Sequence, residues 1–525
     1  MKKIKYIALS VCAALSLTSC NDFLDKLPDD RAEIDSNTKI TNLLVSAYPA
    51  VSNIMLNEMS TDNVSDNGKQ YTTNLLKEEI YRFQNITDEG NDSPRHIWNG
   101  YYNAIATANQ AIQAIEEMGS PASLNAQMAE AKLCRAYSMF QLATTFCMAW
   151  NPEKADEYLG LPYPKRPGSG VNDGYVRGTL RELYENINTD IEEALPYVSD
   201  DIYSVPKYHF NLKAAYAFAA RFNLYYMNYD KCIQYANIVL GSVPTSVMRN
   251  FEPYTVFGRV DIGNRYVMTS EAANLLLVPA YSLSGRAIAG GSYNRFDHNQ
   301  SMASYETFWV SMPWGSGSSN NTLYYSTMLY GTNQCVAFPK IEEFFEYTDK
   351  VNGSGYVHIV DPVFTGDETL LCRAEAYALK GGEDNLKKAV DDMNVWVGTH
   401  CKATEGPTKR PTLTVDNITS FINGLDYAPA LPDGNRDRSM RKTLHPQGFT
   451  VAEERQENVI EFLLHMRRLE TIFQGTRFMD IKRYGIEHSH LIAGEDAITF
   501  TAGDLRGAIQ LPSDVINAGL EANPR

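Results

Sequence analysis

The apolar positions of this chain recur mostly at intervals of three and four. Tyr101, Ile105, Ala108, Ile112 and Ile115 form one such series, which predicts an amphipathic helix. After a Gly119-Ser120-Pro121 break, Ala129, Leu133, Ala136, Phe140, Ala143 and Cys147 resume the rhythm. Small residues in this series let a second helix come close, while Leu133 and Phe140 fill the space between. The spacing returns in Leu180, Leu183, Ile187, Ile191 and Ala194, and again in Leu212, Ala215, Ala219, Phe222 and Tyr226. Cys232, Tyr235, Ala236 and Val239 follow. Further on, Leu370, Ala374 and Ala378 precede Leu386, Ala389, Met393 and Trp396. Helix pairs with alanine at close approaches and tyrosine near their ends predict a mostly α, tetratricopeptide-like superhelix. Its hairpins fall at about residues 95–245 and 365–400. The spacing between hairpins is irregular, so an ordinary irregular helical domain is the competing expectation.

From about residue 250 to 365 the helical period disappears. Gly, Ser, Asn and Tyr dominate, as in Gly290-Gly291-Ser292-Tyr293-Asn294 and Trp314-Gly315-Ser316-Gly317-Ser318-Ser319-Asn320-Asn321. A loop-rich lobe on a helical scaffold is where binding residues collect, because the scaffold holds the frame while loops shape the site. Pro407, Pro411, Pro429 and Pro432 mark a second irregular stretch, before a helix expected at about residues 453–473.

The first twenty residues follow a different logic. Lys2, Lys3 and Lys5 precede a short apolar run from Ile7 to Leu17, which ends in Leu17-Thr18-Ser19-Cys20. A basic start, a core too short to span a bilayer and small residues before a cut describe an export signal over residues 1–19. Cysteine at the new terminus is the pattern of a bacterial lipoprotein, since its thiolate can accept a diacylglyceryl group. A plain secretory signal with a chance cysteine is the alternative. Residues 20–525 are then expected to form one unit that works outside the inner membrane, tethered by lipid.

Charge narrows the partners. The formal charge of −16 becomes −19 when the three lysines leave with the signal. Such a surface repels nucleic acid and anionic lipid, so no nucleic-acid role is expected, whereas neutral or cationic ligands are compatible with it. Six cysteines remain after Cys12 and Cys20, without a C-x-x-C pair, and four fall in apolar helical patterns where they read as small buried hydrophobes.

The C-terminal region is the most specific. Arg467-Arg468-Leu469-Glu470, then Gln474-Gly475-Thr476-Arg477-Phe478-Met479-Asp480-Ile481 and Arg483-Tyr484-Gly485, closely resembles the signature of the SusD/RagB family, expected over about residues 450–525. Ile509-Gln510-Leu511-Pro512 and Asn523-Pro524 are similar to that family's terminal elements. Trp98, Tyr101, Ile105 and Asn109, then Glu130, Arg135-Ala136-Tyr137 and Leu142, then Arg373-Ala374-Glu375-Ala376-Tyr377, match three helical signatures. Gln474 stands where the family has Glu, and Phe478-Met479 where it has Trp-Phe. The resemblance implies a cell-surface lipoprotein that captures oligosaccharide, or in some members peptide, and passes it to a TonB-dependent, SusC-like transporter. It implies a binder rather than an enzyme, without cofactor. A buried Arg needs a partner, so Arg477 and Asp480 are expected to pair with each other or with Glu470, in a structural role.

Motifs for catalysis are missing: there is no His-Glu-x-x-His, Gly-x-Ser-x-Gly or phosphate loop. With 63 acidic residues a glycosidase-like carboxylate pair can still form, which keeps a surface hydrolase as the rival from another class. Asp62-Asn63-Val64-Ser65-Asp66-Asn67-Gly68 is rich in oxygen donors, but a calcium loop counted from Gly68 would need Glu where Asn74 stands. A hydrogen-bonded turn is expected instead, and no metal.

Sugars offer apolar faces and rows of hydroxyls, so a binder needs exposed aromatics rimmed by Asn, Asp and Arg. Tyr293, Asn294, Arg295, Tyr305, Trp309 and Trp314 supply both kinds within the lobe. Trp314, between Pro313 and Gly315, is the expected exposed platform, while Trp309 fits core or site equally well. Asn63, Asp66 and Tyr71 form the second expected wall.

Overall fold

The structure, a computed structural model, describes residues 34–168, 176–290, 293–331, 334–404 and 409–525. The export signal and Cys20 lie outside these residues. A helix at Asn37–Leu44 and two shorter ones, α1 (Ile54–Met59) and α2 (Leu75–Tyr81), precede the first long pair, α3 (Pro94–Glu117) and α4 (Asn125–Phe146). Ser93 starts α3 by accepting from the His96 amide at 3.2 Å, and Pro94 follows with its φ already set for the helix. One face of α3, including Ile97, Tyr101, Ile105, Ala108, Ile112 and Ile115, is buried and lies on α4. α4 is buried almost all round because α5 (Leu180–Ala194) covers its other side. Thr179 and Glu182 close a reciprocal capping box at the start of α5.

The next pair is α6 (Leu212–Tyr225) and α7 (Tyr229–Leu240). Helix α8 (Gln300–Tyr305) belongs to the lobe, and α9 (Gly366–Lys380) with α10 (Glu383–His400) returns to the scaffold. α9 is enclosed by α7, α10 and α11 (Arg455–Thr471), and α12 (Arg477–Tyr484) closes the C-terminal segment onto α11. Each helical stretch expected from periodicity is present, and successive pairs stack into a tetratricopeptide-like superhelix. The six cysteines among the described residues are free and buried.

The lobe is more regular than its composition suggests. β1 (Ser65–Asp66) lies outside it in sequence, while β2 (Asn274–Ala280), β3 (Phe296–Asp297), β4 (Phe344–Asp349) and β5 (Ser354–Thr365) lie within. β2, β5 and β4 form an antiparallel sheet in that order, with Leu277 opposite Pro362 and Phe344 opposite His358. Expecting only irregular chain here missed that sheet: β2 is buried on both faces and β4 is largely exposed on both, so neither alternates apolar with polar. Thr365 ends β5 and caps α9, accepting from the Glu368 amide at 3.1 Å. β1 pairs with β3, Ser65 opposite Asp297 and Asp66 opposite Phe296, and this pairing brings two distant loops together.

Candidate functional site

The loop after α1 and the loop before α8 form one continuous wall. The Asn67 amide donates to the Arg295 carbonyl at 2.7 Å, the Thr72 amide to Tyr293 at 2.9 Å, and the Arg295 amide to Thr72 at 2.8 Å. Asn67 then links the side chain of Asn299 (3.1 Å) to the Asn294 carbonyl (3.1 Å). The two walls expected from the sequence are therefore neighbours, but most of their polar residues are spent on holding each other.

Arg295 forks onto Asp66 at 3.0 and 2.8 Å and reaches Glu78 of α2 at 2.7 Å. Asp66 also accepts from the Gly68 amide (2.8 Å) and the Ala493 amide (3.0 Å). Burial opposes its ionisation, yet Arg295 and these amides outweigh that and lower its pKa. Asn294 accepts from Lys77 at 2.8 Å and donates to the Arg286 carbonyl at 3.1 Å. Asn63 is fully buried, donating to Glu58 at 2.9 Å and accepting from Arg468 at 2.7 Å. Asn63, Asp66, Asn294 and Arg295, expected at the ligand rim, are thus frame residues with their hydrogen-bonding capacity already used. The oxygen-rich segment at 62–68 is a turn clamped by guanidinium groups. Among the described residues no group of three or more His, Cys, Asp or Glu stands where it could hold a metal ion.

The aromatics divide in the same way. Trp314 is 1% exposed, with Trp396, Phe462 and His465 at centroid distances of 6.0, 5.7 and 6.1 Å. The expected open platform at Trp314 is a core ring. The cause is local: Gly315–Ser316 pairs with Asn320–Asn321, and the Thr322 amide and hydroxyl donate to the Trp314 carbonyl at 2.8 and 3.0 Å. This small hairpin turns the ring inward. Trp309 is half-buried and donates from Nε1 to the Ser326 carbonyl at 3.0 Å. Tyr293 is 60% exposed and Tyr305 42%, while Tyr71 is half-buried. The surface aromatics of the two walls are therefore Tyr71, Tyr293, Tyr305 and Trp309.

Behind the wall stands the C-terminal signature. Arg467 is fully buried between Glu375 of α9 (3.0 Å) and Asp480 of α12 (3.3 Å), and Arg483 pairs with both of these acids. Arg477 does not pair with Asp480 or Glu470: it forks onto Asp62 at 2.9 and 2.8 Å, tying α12 to the site loop. Glu470 accepts instead from Trp396 (3.0 Å) and Tyr325 (3.3 Å). Gly475 sits at φ +73°, where a Cβ would come within 2.9 Å of Asn57 Cβ, and its amide donates to Glu58 at 2.9 Å. These contacts make the loop at 58–66 part of the rigid core.

Sequence reasoning missed a small polar cavity of about 30 Å³ beside α8, lined by Asp62, Met302, Glu306, Arg438, Lys442 and His488 among others. Glu306 accepts from Arg438 (2.6 Å), Lys442 (3.1 Å) and Arg468 (3.2 Å). Burial alone would raise its pKa, but these cations hold it at about 2. Pro429 and Pro432 had marked the loop that supplies Arg438 and Lys442, without indicating that its cations turn inward.

A family model described as "Starch-binding associating with outer membrane" matches residues 22–224, and a second, described as "SusD family", matches residues 167–508. No curated protein sequence matches. Among solved structures, a SusD superfamily protein from Bacteroides vulgatus is 18% identical, with TM-score 0.60 and coverage of 94% of this chain and 99% of its own. A SusD-like carbohydrate binding protein from the same species is 13% identical (TM-score 0.58, coverage 92% and 96%). A laminarin binding SusD-like protein is 16% identical (TM-score 0.53, coverage 93% and 99%).

Proposed function

The chain belongs to the SusD family, and from that footing we propose that it is a lipid-anchored, cell-surface binder of oligosaccharide. Cys20 carries the lipid, and the captured glycan passes to a TonB-dependent, SusC-like transporter in the outer membrane. Two matched structures named for carbohydrate or laminarin binding support the ligand class. The observation that carries the reading is the set of surface rings, Tyr71, Tyr293, Tyr305 and Trp309, on walls whose polar groups are already paired. Rings held on such a frame can stack on sugar faces with little ordering cost. The protein binds and releases its cargo with bonds intact.

Calorimetric titration of the purified protein against glycan and peptide panels tests this reading. Binding of a neutral oligosaccharide, weakened by about 1–3 kcal/mol in Tyr293→Ala or Tyr305→Ala, is the expected result. Affinity unchanged in both variants would remove the rim from the site, and product released from any offered polymer would make the protein an enzyme. A peptide-binding reading draws on one observation, the free outer edge of β4, which could pair with an extended backbone. Cationic peptides held that way on an acidic surface would bind more weakly as salt rises.

A further inference from the structure

Lys77 of α2 is 6% exposed, and the hydrogen bonds from its Nζ go to uncharged oxygens. One acceptor is the Ala287 carbonyl at 3.3 Å, and the other is Asn294 Oδ1 at 2.8 Å. Arg295 and Arg477, by contrast, fork onto carboxylates. Asn294 in turn donates from Nδ2 to the Arg286 carbonyl at 3.1 Å and to Asp297 Oδ2 at 3.3 Å. Asp297 is 1% exposed, and its other oxygen accepts from the His298 amide at 2.8 Å. A primary amine, a carboxamide and a carboxyl group therefore stand in a buried row, each touching the next.

Burial sets the protonation of the two ends. It pushes Asp297 up to about 7 against the pull of Lys77, and it lowers Lys77 against the pull of Asp297. Each group is drawn toward its uncharged form. A proton passed from the ammonium to the carboxylate leaves a free amine beside a carboxylic acid. The free amine is a nucleophile, which the ammonium is not. Its target, the amide carbon of Asn294, lies one bond beyond the oxygen that Lys77 already touches. Turning the end of the lysine brings the nitrogen lone pair onto that carbon, with both partners already held in place. Apolar rings stand close by: Phe296, next to Asp297, is fully buried and stacks at 4.3 Å on Tyr81, one helical turn after Lys77.

We propose that Lys77 and Asn294 join spontaneously in an amide bond, a side-chain cross-link between α2 and the loop before β3, with Asp297 as the proton carrier. The Lys77 nitrogen bonds to Cγ of Asn294, and the Cγ–Nδ2 bond breaks. Asp297 gives its proton to the departing Nδ2 and takes the one that Nζ sheds, so its carboxyl ends as it began. Amine and carboxamide become a secondary amide and ammonia, and no oxidant or other co-reactant enters. The N–H left on Lys77 keeps the Ala287 carbonyl as its acceptor. The link joins positions 217 residues apart. It ties the segment that carries Tyr71 to the one that carries Tyr293, whatever the rim binds.

Mass spectrometry of the purified protein is the test. Wild type should be lighter than its composition requires by one ammonia, about 17 Da. Trypsin should release residues 70–82 joined to residues 287–295. Lys77→Met and Asp297→Asn should each keep the full mass of their sequences. Both should also run more slowly than wild type on a reducing, denaturing gel, where the closed loop holds wild type compact. Residues 70–77 and 287–295 recovered as separate peptides from wild type would overturn the bond, a readout that needs no variant to fold. Loss of ammonia without joined peptides would mark a succinimide at an asparagine and overturn it equally. A joined pair that persists in Asp297→Asn would overturn the part given to Asp297.

Discussion

The C-terminal signature and the lobe wall use the same residue types to opposite ends. In the signature, Arg467, Arg477 and Arg483 are buried and each is matched to carboxylates, while Trp396 and Trp314 sit in the core. On the wall, Arg295 and Asp66 also pair, but the rings attached to that frame, Tyr293 and Tyr305, turn to solvent. Aromatic content in the lobe therefore does not measure binding surface. What separates the regions is whether a second layer covers the ring. α10 and α11 cover Trp314, whereas Tyr293 and Tyr305 have no such cover.

The sharpest way to break the comparison is to unbalance the signature. Arg467→Ala leaves Glu375 and Asp480 buried with too little positive charge, and should cost about 5 kcal/mol of stability or prevent soluble folding. Chemical denaturation measures it, and a loss under about 1 kcal/mol would mean the network is not holding the fold. Next comes Trp314→Ala, which should cost about 4 kcal/mol through the cavity it opens, whereas Tyr293→Ala should cost under about 0.5 kcal/mol. Should Trp314→Ala keep its melting temperature and lose sugar, that ring belongs to the site after all.

Acid supplies the mildest probe. His465 and His488 each titrate near 3 in the folded protein because burial disfavours their charge, against an ordinary 6.5. Their pKa is depressed on folding, so the unfolded chain takes up protons first. Stability from these two is complete above about pH 6.5 and is lost as pH falls towards 3, at roughly 1.4 kcal/mol per pH unit for each. Buried carboxyls such as Asp92 and Asp361, raised by burial to about 6, act in the opposite sense over this window, so the measurement is a difference: between pH 7 and 5 the denaturant midpoint of wild type should fall relative to that of His465→Phe. A difference between the two proteins that is independent of pH would show that the His465 ring is not dry in solution.

The helical scaffold was legible because its signal is local. A buried face repeats every three to four residues whatever lies opposite, so α3 to α7 and α9 to α11 could be read without knowing their neighbours. The signature motif in the 467–485 segment was legible as a string, but the partners of its charges were not. Arg477 faces Asp62, more than four hundred residues earlier, rather than Asp480 one turn away. No spacing rule reaches across that separation.

The amino-acid sequence by itself determined the class of fold, the family and which residues were candidates for binding. Tertiary structure alone decided which of those groups remain free. Polar atoms must be paired when they leave water, so Asn63, Asp66, Asn294 and Arg295 were drawn into each other and into the core. An aromatic ring is buried wherever a covering layer exists, so Trp314 went inward while Tyr293 and Tyr305 stayed out.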